Sequence, residues 1–147
     1  IFLVIIRNSI EMSKMNLTWQ DADEQLLDAL LLATGGEGGA SLQDVLLMGD
    51  ALDGTVLTLQ EIEQALERLV SVGFILIQKN KLSLSGEFLQ AYEETTLNSA
   101  AEESQKPLHK LLEQQELSEE GIAKAKADTL KKYKLKTYYQ QYLEQFG

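Results

Sequence analysis

Residues 58–88 read TLQEIEQALERLVSVGFILIQKNKLSLSGEF, and this stretch decides the fold. Thr58-Leu59-Gln60-Glu61 is a full capping box, in which the hydroxyl and the carboxylate each satisfy a free backbone N–H of the other's residue. Leu59, Ile62, Leu66, Leu69 and Val70 then recur at helical spacing and predict one buried stripe. Gly73 supplies a left-handed stop. Phe74 to Gln78 is β-rich, and Leu82-Ser83-Leu84-Ser85 alternates apolar and polar. The three residues between them, Lys79-Asn80-Lys81, suit a tight turn, because Asn tolerates positive φ. Gly86 breaks the second strand, and Phe88, Leu89 and Tyr92 open another helix capped by Ser85 or Ser83.

Working outward, two helices precede this unit. The first starts at Thr18 or Asp21, with Thr18 and Asp21 in capping-box spacing, and carries Trp19, Ala22, Leu26, Leu30 and Ala33, widened by Leu27 and Leu31. It stops at Gly35-Gly36-Glu37-Gly38-Gly39, read as a helix-ending linker. A phosphate-binding loop is excluded, because no strand feeds the run and Ala40 stands where Lys is required. The second helix starts at Ser41, with Asp44 as its capping partner, and shows Leu42, Val45, Leu46, Gly49 and Leu52 on its apolar side. Asp50 to Leu57 is a longer separation from the third helix than a tight turn needs.

Helix, helix, capped helix, Gly, hairpin, helix resembles the winged helix-turn-helix superfamily over about residues 18–95. The stretch Ala65 to Ile75 is similar to that superfamily's third helix and its exit, and Leu82 to Phe88 to its returning wing strand. The resemblance implies a mainly α fold with a small β-hairpin wing (α+β), followed here by C-terminal helices. In DNA-binding members the third helix enters the major groove and the wing touches phosphates. The matching helix here carries Glu61, Glu63, Glu67 and Arg68, a net of −2, and its expected exposed face is Gln60, Glu61, Gln64, Glu67 and Arg68. Acids on that face meet phosphate repulsion, with the cytosine amino group as their natural base partner. Lys79 and Lys81 flank the wing tip. The departure favours a winged helix that mediates protein contacts.

The 147 residues carry a net charge of −10, distributed unevenly. Residues 15–105 set sixteen acids against Arg68, Lys79 and Lys81, whereas residues 106–147 have eight lysines and six acids. An acidic body repels phosphate backbones at long range and keeps a protein soluble. With no cysteine and one histidine, disulfides, thiol catalysis and Cys-ligated zinc are excluded. His109 and Glu113 share a helix face as a surface pair. Nothing assembles a nucleophile, base and orienter, a metal cluster or a cofactor motif, so neither catalysis nor a cofactor is expected. The opening Ile1 to Ile6 falls far short of the ~20 residues that span a bilayer and lacks the flanks of a secretory signal. Met12 and Met15 look like better translation starts. The expected compartment is the cytoplasm, with no membrane partner.

The predicted organisation is an extension over 1–15, a winged-helix domain over 16–97, a linker over 98–107 and a helical arm over 108–147. Pro107 suits a first helical position, Leu108, Leu111 and Leu112 give a short amphipathic helix, and Ser118 begins another. Lys124, Lys126, Lys131, Lys132, Lys134 and Lys136 crowd around Asp128. Leu135, Tyr138, Tyr139, Tyr142, Leu143 and Phe146 follow at offsets 0, 3, 4, 7, 8 and 11, one helical face rich in aromatics. That face is read as docking on its own domain or on a second copy, giving a protein-contact module or a homodimer. The alternative is a DNA-binding regulator, whose nucleic-acid contacts would be Lys79, Lys81, Lys124, Lys131, Lys132 and Lys136.

Overall fold

The computed structural model describes residues 17–98 and 106–146. The extension over 1–15 and most of the linker over 98–107 lie outside the described residues. Among the described residues, seven α-helices accompany a three-stranded antiparallel sheet: α1 (Asp21–Thr34), β1 (Gly39–Ala40), α2 (Leu42–Asp53), α3 (Leu59–Ser71), β2 (Ile75–Gln78), β3 (Lys81–Leu84), α4 (Gly86–Asn98), α5 (Pro107–Glu113), α6 (Glu119–Lys124) and α7 (Leu135–Phe146). Between α6 and α7 the chain widens to a π-helix over Ala125–Thr129 and tightens to a 3-10 turn over Leu130–Lys132.

The capping box of α3 forms as its residues dictate. The Glu61 N–H donates to Thr58 Oγ1 at 3.1 Å, and the Thr58 N–H donates to Glu61 Oε1 at 2.8 Å. Ile62, Ala65, Leu66 and Leu69 are fully buried, and Leu59 and Val70 pack at the edge of the core. Gly73, at φ +78°, turns the chain into the hairpin. The hairpin is tighter than the sequence suggests. Gln78 pairs with Lys81, so its loop is Lys79-Asn80 alone, with φ of +52° and +63°. Two positive φ values match the right-handed twist of the flanking strands, which draws Lys81 into β3.

Three other expectations shift. The cap of α1 falls on Gln20, whose N–H donates to Asp23 Oδ2 at 2.7 Å, so Thr18 and Asp21 do not form the box. The glycine run does not remain a plain linker: Gly39 pairs with Ser83 and Ala40 with Leu82, giving the sheet order β1-β3-β2. A Cβ on Gly39 would stand 3.0 Å from Lys81 Cβ, so a bare backbone permits that approach. Helix α2 runs on to Asp53, where Gly54 takes the left-handed cap, and residues 54–58 alone connect it to α3. Leu52, expected on the apolar side of α2, is exposed.

The starts at Ser41, Ser85, Pro107 and Ser118 stand where the sequence puts them. Leu108, Leu111 and Leu112 of α5 join Tyr133, Leu135 and Tyr142 in the same hydrophobic cluster as Leu26, Leu30, Ile62, Leu66 and Phe88. The C-terminal helices therefore form a wall of one shared core.

Candidate functional site

The outward face of α3 is where the resemblance places a binding surface. Gln60 and Glu61 are exposed there and Gln64 is half-buried. Glu67 and Arg68, expected on the same exposed face, are 5% and 2% exposed. Two separate contacts cause this. Arg68 turns toward α1, where its Nε donates to both carboxylate oxygens of the fully buried Asp23 at 3.0 Å. Burial pushes the Asp23 carboxyl above its ordinary range, against the pull of the Gln20 N–H and of Arg68. Each charge is met by the other, and the Gln20 N–H adds a hydrogen bond to Asp23, whereas Arg68 Nη1 is buried with no hydrogen-bond partner among the described residues.

Glu67 is covered from the opposite side by the C-terminal segment. Three anchors fix that segment along α3. Gly121 lies against the end of α3, where a Cβ would stand 3.6 Å from Ser71 Cβ. Lys126 Nζ is 3.9 Å from Glu67 Oε2. The Tyr139 hydroxyl donates to the Leu57 carbonyl at 2.7 Å, just before α3 begins. As residue number rises from 121 to 139 it falls from 71 to 57, so the segment runs antiparallel over α3. Burial raises the Glu67 carboxyl above its usual range, Lys126 lowers it, and Glu63 raises it further.

Between α3 and residues 126–137 an open cleft of about 420 Å³ remains. Glu63 and Glu67 stand on its α3 side. Leu130, Tyr133 and Leu135 give it apolar surface, and Lys126, Lys131, Lys134 and Lys136 line the other side. Lys131, Lys134 and Lys136 make no ion pair among the described residues. Tyr133 is 5% exposed, its hydroxyl has no hydrogen-bond partner among the described residues, and burial pushes its pKa far up.

No protein-family model, no curated protein and no solved structure matches this chain.

Of the six lysines singled out in the sequence, the cleft gathers Lys131 and Lys136. Lys124 lines a neighbouring depression with Gly121 and Asp128, against Val70 to Gly73. Lys132 is exposed and lines neither. Lys79 and Lys81 border a separate depression with Gly38 and Gly39 at the hairpin. The six therefore do not form one surface. Lys126 and Lys134, part of the same basic run, belong to the cleft instead. Of the aromatic face, Leu135 and Tyr142 are buried, Tyr138 and Tyr139 are half-buried against the core, and Leu143 and Phe146 stay exposed.

Asp23 escaped the sequence reading, although it stands three, four and seven residues before Leu26, Leu27 and Leu30, on the buried stripe itself. His109 holds two carboxylates rather than one: Nδ1 lies 3.0 Å from Glu24 on α1, and Nε2 lies 2.8 Å from Glu113. The hydrogen bond to the Glu24 carboxylate leads in raising its pKa, with burial opposing and the charges of Glu24 and Glu113 adding to the rise. Among the described residues no group of three or more His, Cys, Asp or Glu is placed to hold a metal, and no helix is long and apolar enough to cross a membrane.

Proposed function

We propose that the protein is a non-catalytic interaction module on a winged-helix scaffold, which contacts a protein partner through the surface shared by α3 and the C-terminal segment. The order α1-β1-α2-α3-β2-β3, with a capped third helix leading through Gly73 into a hairpin, supports the scaffold. One observation carries the function: the face of α3 that would meet a DNA groove is partly covered by the protein's own residues 121–139, which reach Glu67, Ser71 and Leu57. Entry into a major groove would require stripping Lys126 from Glu67 and Tyr139 from Leu57. The face left in view carries Gln60, which is neutral, and Glu61, whose carboxylate repels phosphate, and neither supplies a cation.

Fluorescence anisotropy with a random-sequence duplex at ~50 and ~200 mM salt tests this. A protein that neutralises several phosphates loses orders of magnitude of affinity between those conditions. The expected result is no salt-sensitive binding; strong binding that collapses with salt overturns the reading. A second copy of the chain is the other protein partner with an observation behind it, since Leu143 and Phe146 are 41% and 45% exposed on α7. In sedimentation velocity, a dimer that dissociates in Leu143→Asp and Phe146→Asp identifies that face as the contact.

A further inference from the structure

We infer that the cleft between α3 and residues 126–137 is a docking groove for an acidic peptide segment that carries one large apolar side chain. This rests on the protein-contact reading and specifies the chemistry of the partner.

Charge is the first argument. The chain is −10 overall, yet Lys126, Lys131, Lys134 and Lys136 line one cleft. Lys126 is engaged with Glu67, and among the described residues the other three have no anionic neighbour in ion-pair range. Like charges gathered in one place repel each other, and an arriving anion relieves that repulsion. The gathering comes from the backbone. On a regular helix Lys126 and Lys131 would stand roughly 140° apart, at about 100° per residue. The π-helical widening at Ala125–Thr129 and the 3-10 turn at Leu130–Lys132 replace that geometry and bring them to one wall.

Shape is the second argument. Leu130, Tyr133 and Leu135 supply apolar lining, and Tyr133 and Leu135 are locked into the core. A groove held by the core is pre-organised, so a ligand does not bear the cost of ordering it. The volume of about 420 Å³ suits one apolar anchor with its flanking backbone rather than a duplex.

The same features disfavour a polyanion. Double-stranded DNA carries one charge per ~1.7 Å and is held by rows of cations. Here the cations form one patch, and Glu63 on the facing wall would lie beside phosphates. A peptide with a few carboxylates can set them on the lysine wall and its apolar side chain between the walls.

The test is selection of a random twelve-residue peptide display library on the full chain, followed by anisotropy with the enriched peptides. The expected outcome is enrichment of sequences with several Asp or Glu flanking one large apolar residue. Affinity should fall about tenfold or more in the combined Lys131→Glu, Lys134→Glu, Lys136→Glu variant, and comparably when the apolar anchor of the peptide is replaced by Ala. These lysines are exposed, so the variant should keep the wild-type far-UV circular dichroism spectrum. Enriched peptides with no acidic bias, or with affinity indifferent to the charge reversal, overturn the groove and leave the protein-contact reading standing. Failure to enrich any peptide overturns it too. If a duplex then binds and the same variant abolishes that binding, the protein-contact reading falls with it.

Discussion

Replacing Arg68 with Leu should be among the most damaging single changes outside the apolar core, and the cost should depend on pH in a defined sense. Arg68 is 2% exposed and Asp23 fully buried, and one Nε donates to both Asp23 oxygens at 3.0 Å. The variant strands a carboxylate whose remaining stated partner is the Gln20 N–H. Breaking a buried pair in this way costs about 3–5 kcal/mol. At ~2–4 °C per kcal/mol for a chain of this size, Tm should drop by roughly 6–20 °C at pH 7.

The pH dependence follows from the direction of the Asp23 shift. Its folded pKa already lies above 3.8 because of burial, with Arg68 pulling it down. Removing Arg68 raises it further, so the folded variant holds its proton up to a higher pH than the wild type does. As pH falls toward 4 the carboxyl becomes neutral in the variant, the stranded charge disappears, and the deficit shrinks. Urea unfolding followed by circular dichroism at pH 7 and pH 4.5 measures both numbers. Asp23→Leu combined with Arg68→Leu should recover most of the loss, since an apolar replacement of a whole buried pair is often neutral or stabilising. A cost below about 1 kcal/mol at pH 7, or a deficit unchanged between the two pH values, refutes the reasoning.

Four further outcomes are expected. Glu67→Gln should raise stability at pH 8 by up to about 1 kcal/mol, because burial penalises the charged form; the advantage should vanish below pH 4.5, where the wild-type carboxyl is protonated in both states, as thermal melts across pH will show. Tyr139→Phe should cost about 0.5–1.5 kcal/mol in urea unfolding by orphaning the Leu57 carbonyl, whereas Tyr133→Phe removes a buried hydroxyl that has no partner and should be neutral or stabilising. His109 has a folded pKa above 6.5, so its contribution is complete below pH 6.5 and fades as pH rises through the folded value; His109→Gln should lack that loss, and NMR titration of the single histidine gives the folded pKa directly. Leu112→Ala should cost about 2–5 kcal/mol, because α5 is part of the shared core, and removing residues 107–147 should unfold the chain rather than yield a clean truncated domain by circular dichroism.

The parts of the fold legible in the sequence are those written in local chemistry. Thr58 and Glu61 specify the start of α3 within four residues, Gly73 its end, and Ser41, Ser85, Pro107 and Ser118 mark other starts with side chains or a ring that act on the adjacent backbone. Strand β1 was hidden because two residues carry no periodicity and Gly39 is chosen for what it lacks, a Cβ near Lys81. The lysine wall was hidden for a different reason. Helical spacing sets Lys126 roughly 140° from Lys131, and the π and 3-10 turns that override that spacing depend on how residues 121–139 settle over α3.

The burial of Glu67 and Arg68 shows why a polar face is not the same thing as an exposed face. Periodicity places both residues opposite Leu59, Ile62 and Leu66, and a helix read alone sends that side to water. Burial became possible because partners lie far along the chain: Asp23 for Arg68, Lys126 for Glu67. Each partner comes from a different layer, α1 on one side and the C-terminal segment on the other. Helix α3 is thus enclosed on sides that its own sequence leaves polar. The consequence for function is directional. Arg68 is tied to the core through Asp23, so releasing it would dismantle the α1–α3 contact, whereas Lys126 holds the half-exposed rim of the cleft at 3.9 Å from Glu67. A partner that alters this surface meets the weaker of the two pairs first, at the lysine wall.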